Sequence, residues 1–285
     1  MEHWIWLCSI RNVGPVSQKK LLTAFGSPEQ IYEASSLELQ EVKGISQRVR
    51  EAVLEARSLE DCKRILERAQ KEEIWLLPRD DPLYPSYAKD LPESPALLYY
   101  KGLIRSFTPS VAIVGSRNCT EEGRRAAEEL SYTLSNRKIP VISGLAKGID
   151  RAAHVGCLVN RGVPIAFLAS GVDHCYPKEH RSLYEAIIKK GAVISQYAPG
   201  TRPTPKQFIQ RNALISAWSS HVVVIEAGVK SGALSTARFA RKHNRKIFML
   251  PRSDALSEQI PGCSIEDGYE PYPGVSAFEA VLNEL

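Results

Sequence analysis

The sequence predicts an α/β chain: an open, doubly wound, mostly parallel sheet preceded by a small all-helical segment. Three observations carry this. From residue 110 onward, short and almost wholly apolar runs alternate with helix-like stretches. The first 75 residues instead space their apolar positions by three and four. Polar, glycine-bearing clusters follow four of the apolar runs. Apolar runs of this kind suit strands covered on both faces, and their alternation with helices builds βαβ units.

Residues 1–75 read as a helical domain through "SQKKLLTAFGS", "PEQIYEAS", "SQRVREAVLEAR" and "DCKRILERAQ". Two similar turns, "RNVGPVS" and "EVKGISQ", place Gly14 and Gly44 in the bend and Ser17 and Ser46 where a helix cap belongs. The arrangement resembles a helix-hairpin-helix (SAM-like) pair, a module whose hairpin amides often sit on DNA phosphates. Residues 76–109, rich in proline and aromatics, read as an ordered connector that extends to the sheet through "ALLYYKG". Residues 110–285 supply the strands "SVAIVGS", "IPVISG", "PIAFLAS", "AVISQY", "HVVVIEA" and "KIFMLP" and the helices between them. The tail after Pro251 reads as irregular, ending in the helix "VSAFEAVLNEL".

Composition narrows the function classes only a little. The 285 residues are 44% hydrophobic and 24% charged, as in ordinary globular chains. The net charge of +5 permits a polyanionic partner without demanding one. Glu2 and His3 stand where a secretory leader needs a basic region, and no apolar run reaches membrane-spanning length. The six cysteines are scattered, with no CxxC pair, and are expected to be free thiols of a reducing cytoplasm.

In doubly wound sheets, ligands bind beyond the carboxyl ends of the strands. The four polar clusters fall there. Gly115-Ser116-Arg117 follows the first strand, with a glycine for close backbone approach and two donors at a helix start. "SGLAKGID" follows the second: Ser143, Gly144 and Gly148 form a tight loop, Lys147 can meet a phosphate, and Asp150 can cap the next helix. The third, "SGVDHCYPKEH", offers Tyr176 as a stacking platform beside Lys178. In the fourth, "EAGVKSGALSTA", Ser231, Gly232 and Thr236 surround another helix start. Neither GxGxxG nor GxxxxGK[ST] is present, so no dinucleotide or Walker loop supports a nucleotide enzyme.

"VAIVGSR", "ISGLAKGIDRAAHVG", "GVDHCYPKEHRSL", "FIQRNALIS" and "EAGVKSGALSTARFA" occur in the order and spacing of the DprA/Smf DNA-processing family, which the chain resembles over roughly residues 80–265. The resemblance implies a Rossmann-like domain that binds single-stranded DNA, forms a homodimer and loads a RecA-type recombinase during natural transformation. It also carries strand binding onto Arg117, Lys147, Phe208, Arg211 and Asn212, with the glycine loops around them. The chain departs from the family pattern in places. Arg211-Asn212-Ala213 stands for R-N-R, removing one cation from the expected groove. Ser195-Gln196-Tyr197 stands for a serine–glutamate–tyrosine triplet, and Pro251-Arg252 and Gly262-Cys263-Ser264-Ile265 also differ. The winged-helix-like C-terminal domain of many members is not expected here.

No catalytic residue, cofactor or metal is expected. Glu226 and Asp150 could serve a nucleotide-binding sensor or a phosphoribohydrolase-type enzyme, the alternative reading. That class resembles P-G-G-x-G-T, which "EAGVKSGALST" does not match. His174, Cys175 and His180 read as a mixed polar loop, and His154 as a packing or capping residue.

Overall fold

The structure, a computed structural model, describes residues 1–105, 109–228, 231–250 and 268–283. The departures at Pro251-Arg252 and Gly262-Cys263-Ser264-Ile265 lie outside the described residues. The helical front comprises α1 (Glu2–Ser9), α2 (Pro15–Phe25), α3 (Pro28–Glu33), α4 (Ser36–Glu41), α5 (Gln47–Glu55) and α6 (Glu60–Lys71). Ser46 caps α5 as its position suggests, accepting from the Val49 N–H at 3.4 Å. Ser17 does not cap α2. Gly14 takes that place and Pro15 opens the helix, where a missing N–H costs nothing.

After the front come β1 (Trp75–Pro78), the short α7 (Ser86–Lys89) and β2 (Leu97–Gly102). The segment read as a connector therefore brings two strands to the sheet, not one. Then follow β3 (Val111–Gly115), α8 (Glu121–Asn136), β4 (Val141–Ser143), α9 (Ile149–Val159) and β5 (Pro164–Phe167). A 3-10 turn at Lys178–His180 leads into α10 (Arg181–Lys190), β6 (Ala192–Ser195), α11 (Pro205–Ala217) and β7 (His221–Ile225). The last described elements are α12 (Ala233–Lys242), β8 (Lys246–Leu250), β9 (Tyr269–Pro271) and α13 (Val275–Leu282). The strand β9, which the sequence pattern does not announce, is only three residues long.

Among the described residues the strands form one sheet in the order β1-β2-β6-β5-β4-β3-β7-β8-β9. Pairing is antiparallel for β1/β2 and β2/β6 and parallel throughout the rest. The chain steps outward from β3 through β4 and β5 to β6, then returns along α11 to add β7 on the other side of β3. That reversal puts a crevice at the carboxyl ends of β3, β4 and β7.

Alternation along the strands explains why they read as continuous apolar runs. In β3, Ala112 and Val114 pack with α11 and α12, whereas Val111 and Ile113 pack with α8 and α9. The helical front shares a third cluster with the sheet, in which Ile5, Leu21 and Val53 join Tyr99, Ala166, Leu168 and Val193. Buried Gln18 fixes the first hairpin to it: its amide donates to the Val13 carbonyl at 3.0 Å, and its oxygen accepts from the Ala96 N–H at 3.2 Å.

Phe167 is fully buried and meets Trp218 edge-on at 5.4 Å. Phe167→Ala should therefore lower unfolding stability by about 3–5 kcal/mol, read by chemical denaturation.

Candidate nucleic-acid interface

The crevice is a cleft of about 660 Å³, and eight of the expected site residues line it: Gly115, Ser116, Arg117, Phe208, Arg211, Asn212, Ser231 and Gly232. Asn118 and Ser235 line it too, unanticipated from sequence.

The loop 143–148 is built from beneath. Ser143 is buried and donates its hydroxyl to the Ile113 carbonyl at 2.6 Å, so it ties β4 to β3. Gly144 is pinned on both sides: its N–H donates to Asp150 Oδ2 at 3.1 Å, and its carbonyl accepts from the Arg211 guanidinium. A Cβ on Gly144 would lie 2.5 Å from that guanidinium, so any other residue would push Arg211 out of this place. The Ala146 N–H also donates to Asp150 at 3.3 Å. Asp150 is thus not the helix cap the sequence suggests; Gly148 holds that position, and the carboxylate reaches back to the loop. Burial raises its pKa, opposed by Arg211 and the two amides.

Gly148 closes the loop at φ +70°, and a Cβ there would strike the Ser116 carbonyl at 2.2 Å. The same carbonyl accepts from the Ile149 N–H at 3.1 Å, which joins the first and second loops. Helix α8 starts at Glu121, beyond the Gly115-Ser116-Arg117 loop. Thr120 is its cap, and buried Glu226, itself at φ 53°, accepts from the Thr120 N–H at 2.7 Å and from its hydroxyl.

Arg211 is only 4% exposed. Besides Gly144 it donates to the Phe167 carbonyl at 2.7 Å and to Asn212 Oδ1 at 3.1 Å. Burial pulls its pKa down to about 10, against the pull of Asp150, so it stays charged at neutral pH. The sequence suggests a cation facing the groove; this one lines the cleft but spends its donors on the loop and on Phe167 from beneath. Asn212 donates to the Gly232 carbonyl at 3.1 Å and the Ser235 hydroxyl at 2.6 Å, setting the start of α12 against the cleft.

The exposed cations are others. Arg117 is exposed, its guanidinium carbon 5.8 Å from the Phe208 ring centroid. Arg211 approaches the same ring at 5.7 Å, and Tyr176, 47% exposed, meets it edge-on at 5.6 Å. Lys147 and Lys178 are also exposed. Lys147, Gly148, Tyr176 and Lys178 do not line the cleft itself; Tyr176 reaches it through Phe208. Cationic groups around aromatic rings are the chemistry that holds nucleotide chains.

The family model for DNA recombination-mediator protein A matches residues 75–268. The chain belongs to this family. A helix-hairpin-helix model matches residues 5–65 of this DNA recombination-mediator family chain. It is 36% identical to protein Smf of Synechocystis, over 92% of this chain and 67% of that protein. It is 39% identical to DNA processing protein DprA of Streptococcus pneumoniae, over 64% of each. The chain thus spans about two thirds of the length of these curated relatives. The crystal structure of the pneumococcal protein superposes with a TM-score of 0.84 at 29% identity, over 98% of this chain and 97% of that one. The Helicobacter pylori protein, whose structure was described for its single-stranded DNA binding mode, gives 0.66 at 25% identity over 74% and 96%.

Two departures from the family pattern meet in one place. Gln196 and Ala213 both line a separate cleft of about 450 Å³ between α11 and the first hairpin. Ala213 is 1% exposed and lines this second cleft, not the one at the carboxyl ends of β3, β4 and β7.

His154 on α9 is fully buried, and neither ring nitrogen meets a hydrogen-bond partner among the described residues. Burial, with His180 and Arg211 nearby, lowers its pKa from 6.5 to about 3. The folded chain therefore keeps it neutral, while the unfolded chain takes up a proton below pH 6.5. Its stability contribution is full above pH 6.5 and is lost as the pH falls toward 3. Denaturation from pH 6.5 to 4 should show stability falling, with His154→Leu removing about 1 kcal/mol per pH unit of that slope.

Proposed function

We propose that the chain binds single-stranded DNA at the carboxyl ends of β3, β4 and β7. Arg117, Lys147 and Lys178 meet phosphates, and Tyr176 and Phe208 meet bases. Gly115, Ser116, Gly148, Ser231 and Gly232 let the backbone come close. Ser143, Gly144, Arg211 and Asn212 shape the surface from behind. The observation that carries this reading is Phe208, one ring contacted by Arg117, Arg211 and Tyr176 at the mouth of the cleft.

The family description and the single-stranded DNA binding of the Helicobacter relative support the same reading. On this reading the chain protects incoming strands and loads a RecA-type recombinase on them, as a cytoplasmic homodimer formed of a 1–75 helical unit, a 76–109 extension and a 110–285 DNA-binding unit. It does so without turnover. Asp150 and Glu226, the carboxylates a hydrolase would call on, are already occupied by the N–H groups of Gly144, Ala146 and Thr120.

Binding of a short oligodeoxynucleotide should weaken with salt, its log–log slope falling by about 0.7 for each phosphate engaged. Arg117→Ala and Lys147→Ala should each bind more weakly and with a slope shallower by about 0.7. A chain that ignores the strand but binds or cleaves a nucleoside monophosphate would replace this reading with the sensor or phosphoribohydrolase one.

A further inference from the structure

Lys147, at the tip of its loop, is not alone in solvent. Its ammonium nitrogen lies 2.6 Å from Glu179 Oε1, and the two side chains are 59% and 53% exposed. The carboxylate comes from the turn after β5, and the two loops are held in register next to it. His180 is buried, and its Nδ1 lies 3.0 Å from the Leu145 carbonyl oxygen. Leu145 is itself fully buried, two residues before Lys147. Tyr176 on the same turn rests on Phe208. The pair therefore spans two segments already joined by the His180–Leu145 contact, at the edge of the proposed strand path.

Two carboxylates flanking Glu179 in the sequence have their own cations. Asp173 is 2.7 Å from Arg68, and Glu185 is 2.7 Å from Arg181. Among the described residues, Glu179 alone pairs with a lysine assigned to the strand.

We infer that Glu179 is an intramolecular counter-ion of the strand site, a carboxylate holding the place on Lys147 that a strand phosphate takes on binding. The inference rests on the strand-binding reading above. A carboxylate and a phosphate compete for the same ammonium donors, so a phosphate must displace Glu179 before Lys147 contributes. Lys147 then adds to affinity only as the difference between the two anions. Exposed ion pairs of this kind shift an equilibrium by about 1.5- to 5-fold, which bounds what Glu179 withholds.

Glu179→Gln keeps the shape and removes the charge. Measured by fluorescence anisotropy on a short oligodeoxynucleotide, it should tighten binding by about two- to fivefold. In a Lys147→Ala background the same change should have almost no effect. Glu185→Gln, on the following helix, controls for the general loss of negative charge and should tighten binding less. Glu179 and Lys147 are both exposed, so unchanged thermal melting will confirm that the variants are folded. Overturning results are no tightening by Glu179→Gln, or an equal tightening when Lys147 is already gone. If the wild type binds no strand, the strand reading itself falls, and this inference with it. If strand binding and its dependence on Lys147 stand while Glu179→Gln is silent, only the counter-ion falls.

Discussion

The site depends on one buried contact: the Arg211 guanidinium beneath Gly144. A charge this far from water is tolerated only when hydrogen bonds and an opposite charge surround it. Here the carbonyls of Gly144 and Phe167 and the Asn212 side chain accept from it, and Asp150 supplies the negative charge. Asp150 in turn accepts the Gly144 and Ala146 amides. A single glycine thus links the two charges, with its N–H on the acid and its carbonyl on the base. Removing either partner would strand a buried charge, so both loop and helix are fixed by the same pair.

From that anchor the rest of the surface follows. The loop turns at Gly148 against the Ser116 carbonyl, which places Lys147 at its tip and draws the Gly115-Ser116-Arg117 loop alongside. Glu226 performs the matching task at the start of α8, gripping Thr120 from below. The ionisable groups with the strongest environments are therefore structural. Those left exposed, Arg117, Lys147 and Lys178, face solvent, Lys147 with Glu179 beside it, where phosphates arrive from water. Binding by such groups is electrostatic and only weakly selective for sequence.

The strands of the parallel sheet are legible in the sequence because strands covered on both faces must be apolar at every position, as Val111 to Val114 show. The glycine loops are legible because a turn at positive φ or a carbonyl at 2.2 Å leaves only glycine. The helix α11, which carries Phe208, Arg211 and Asn212, does not announce itself. Its residues 211–217 are all buried, so it shows no polar stripe to set the helical period. Thr204 followed by Pro205 is the signal that could have found it. Burial also hides the roles of Arg211 and Asp150, since residue type gives charge but not the side of a loop on which it lies. Ala213 shows the same limit: its neighbour in sequence touches the cleft, while it packs toward the first hairpin.

The central claim is that Arg211 supports the strand site without touching phosphate. The most direct test is the salt dependence of oligodeoxynucleotide binding by Arg211→Gln, which removes the charge. The account predicts weaker binding, because the loop loses a carbonyl-bridging fork, with the wild-type log–log slope retained. A slope shallower by about 0.7 would mean that Arg211 itself engages a phosphate, and would contradict the claim.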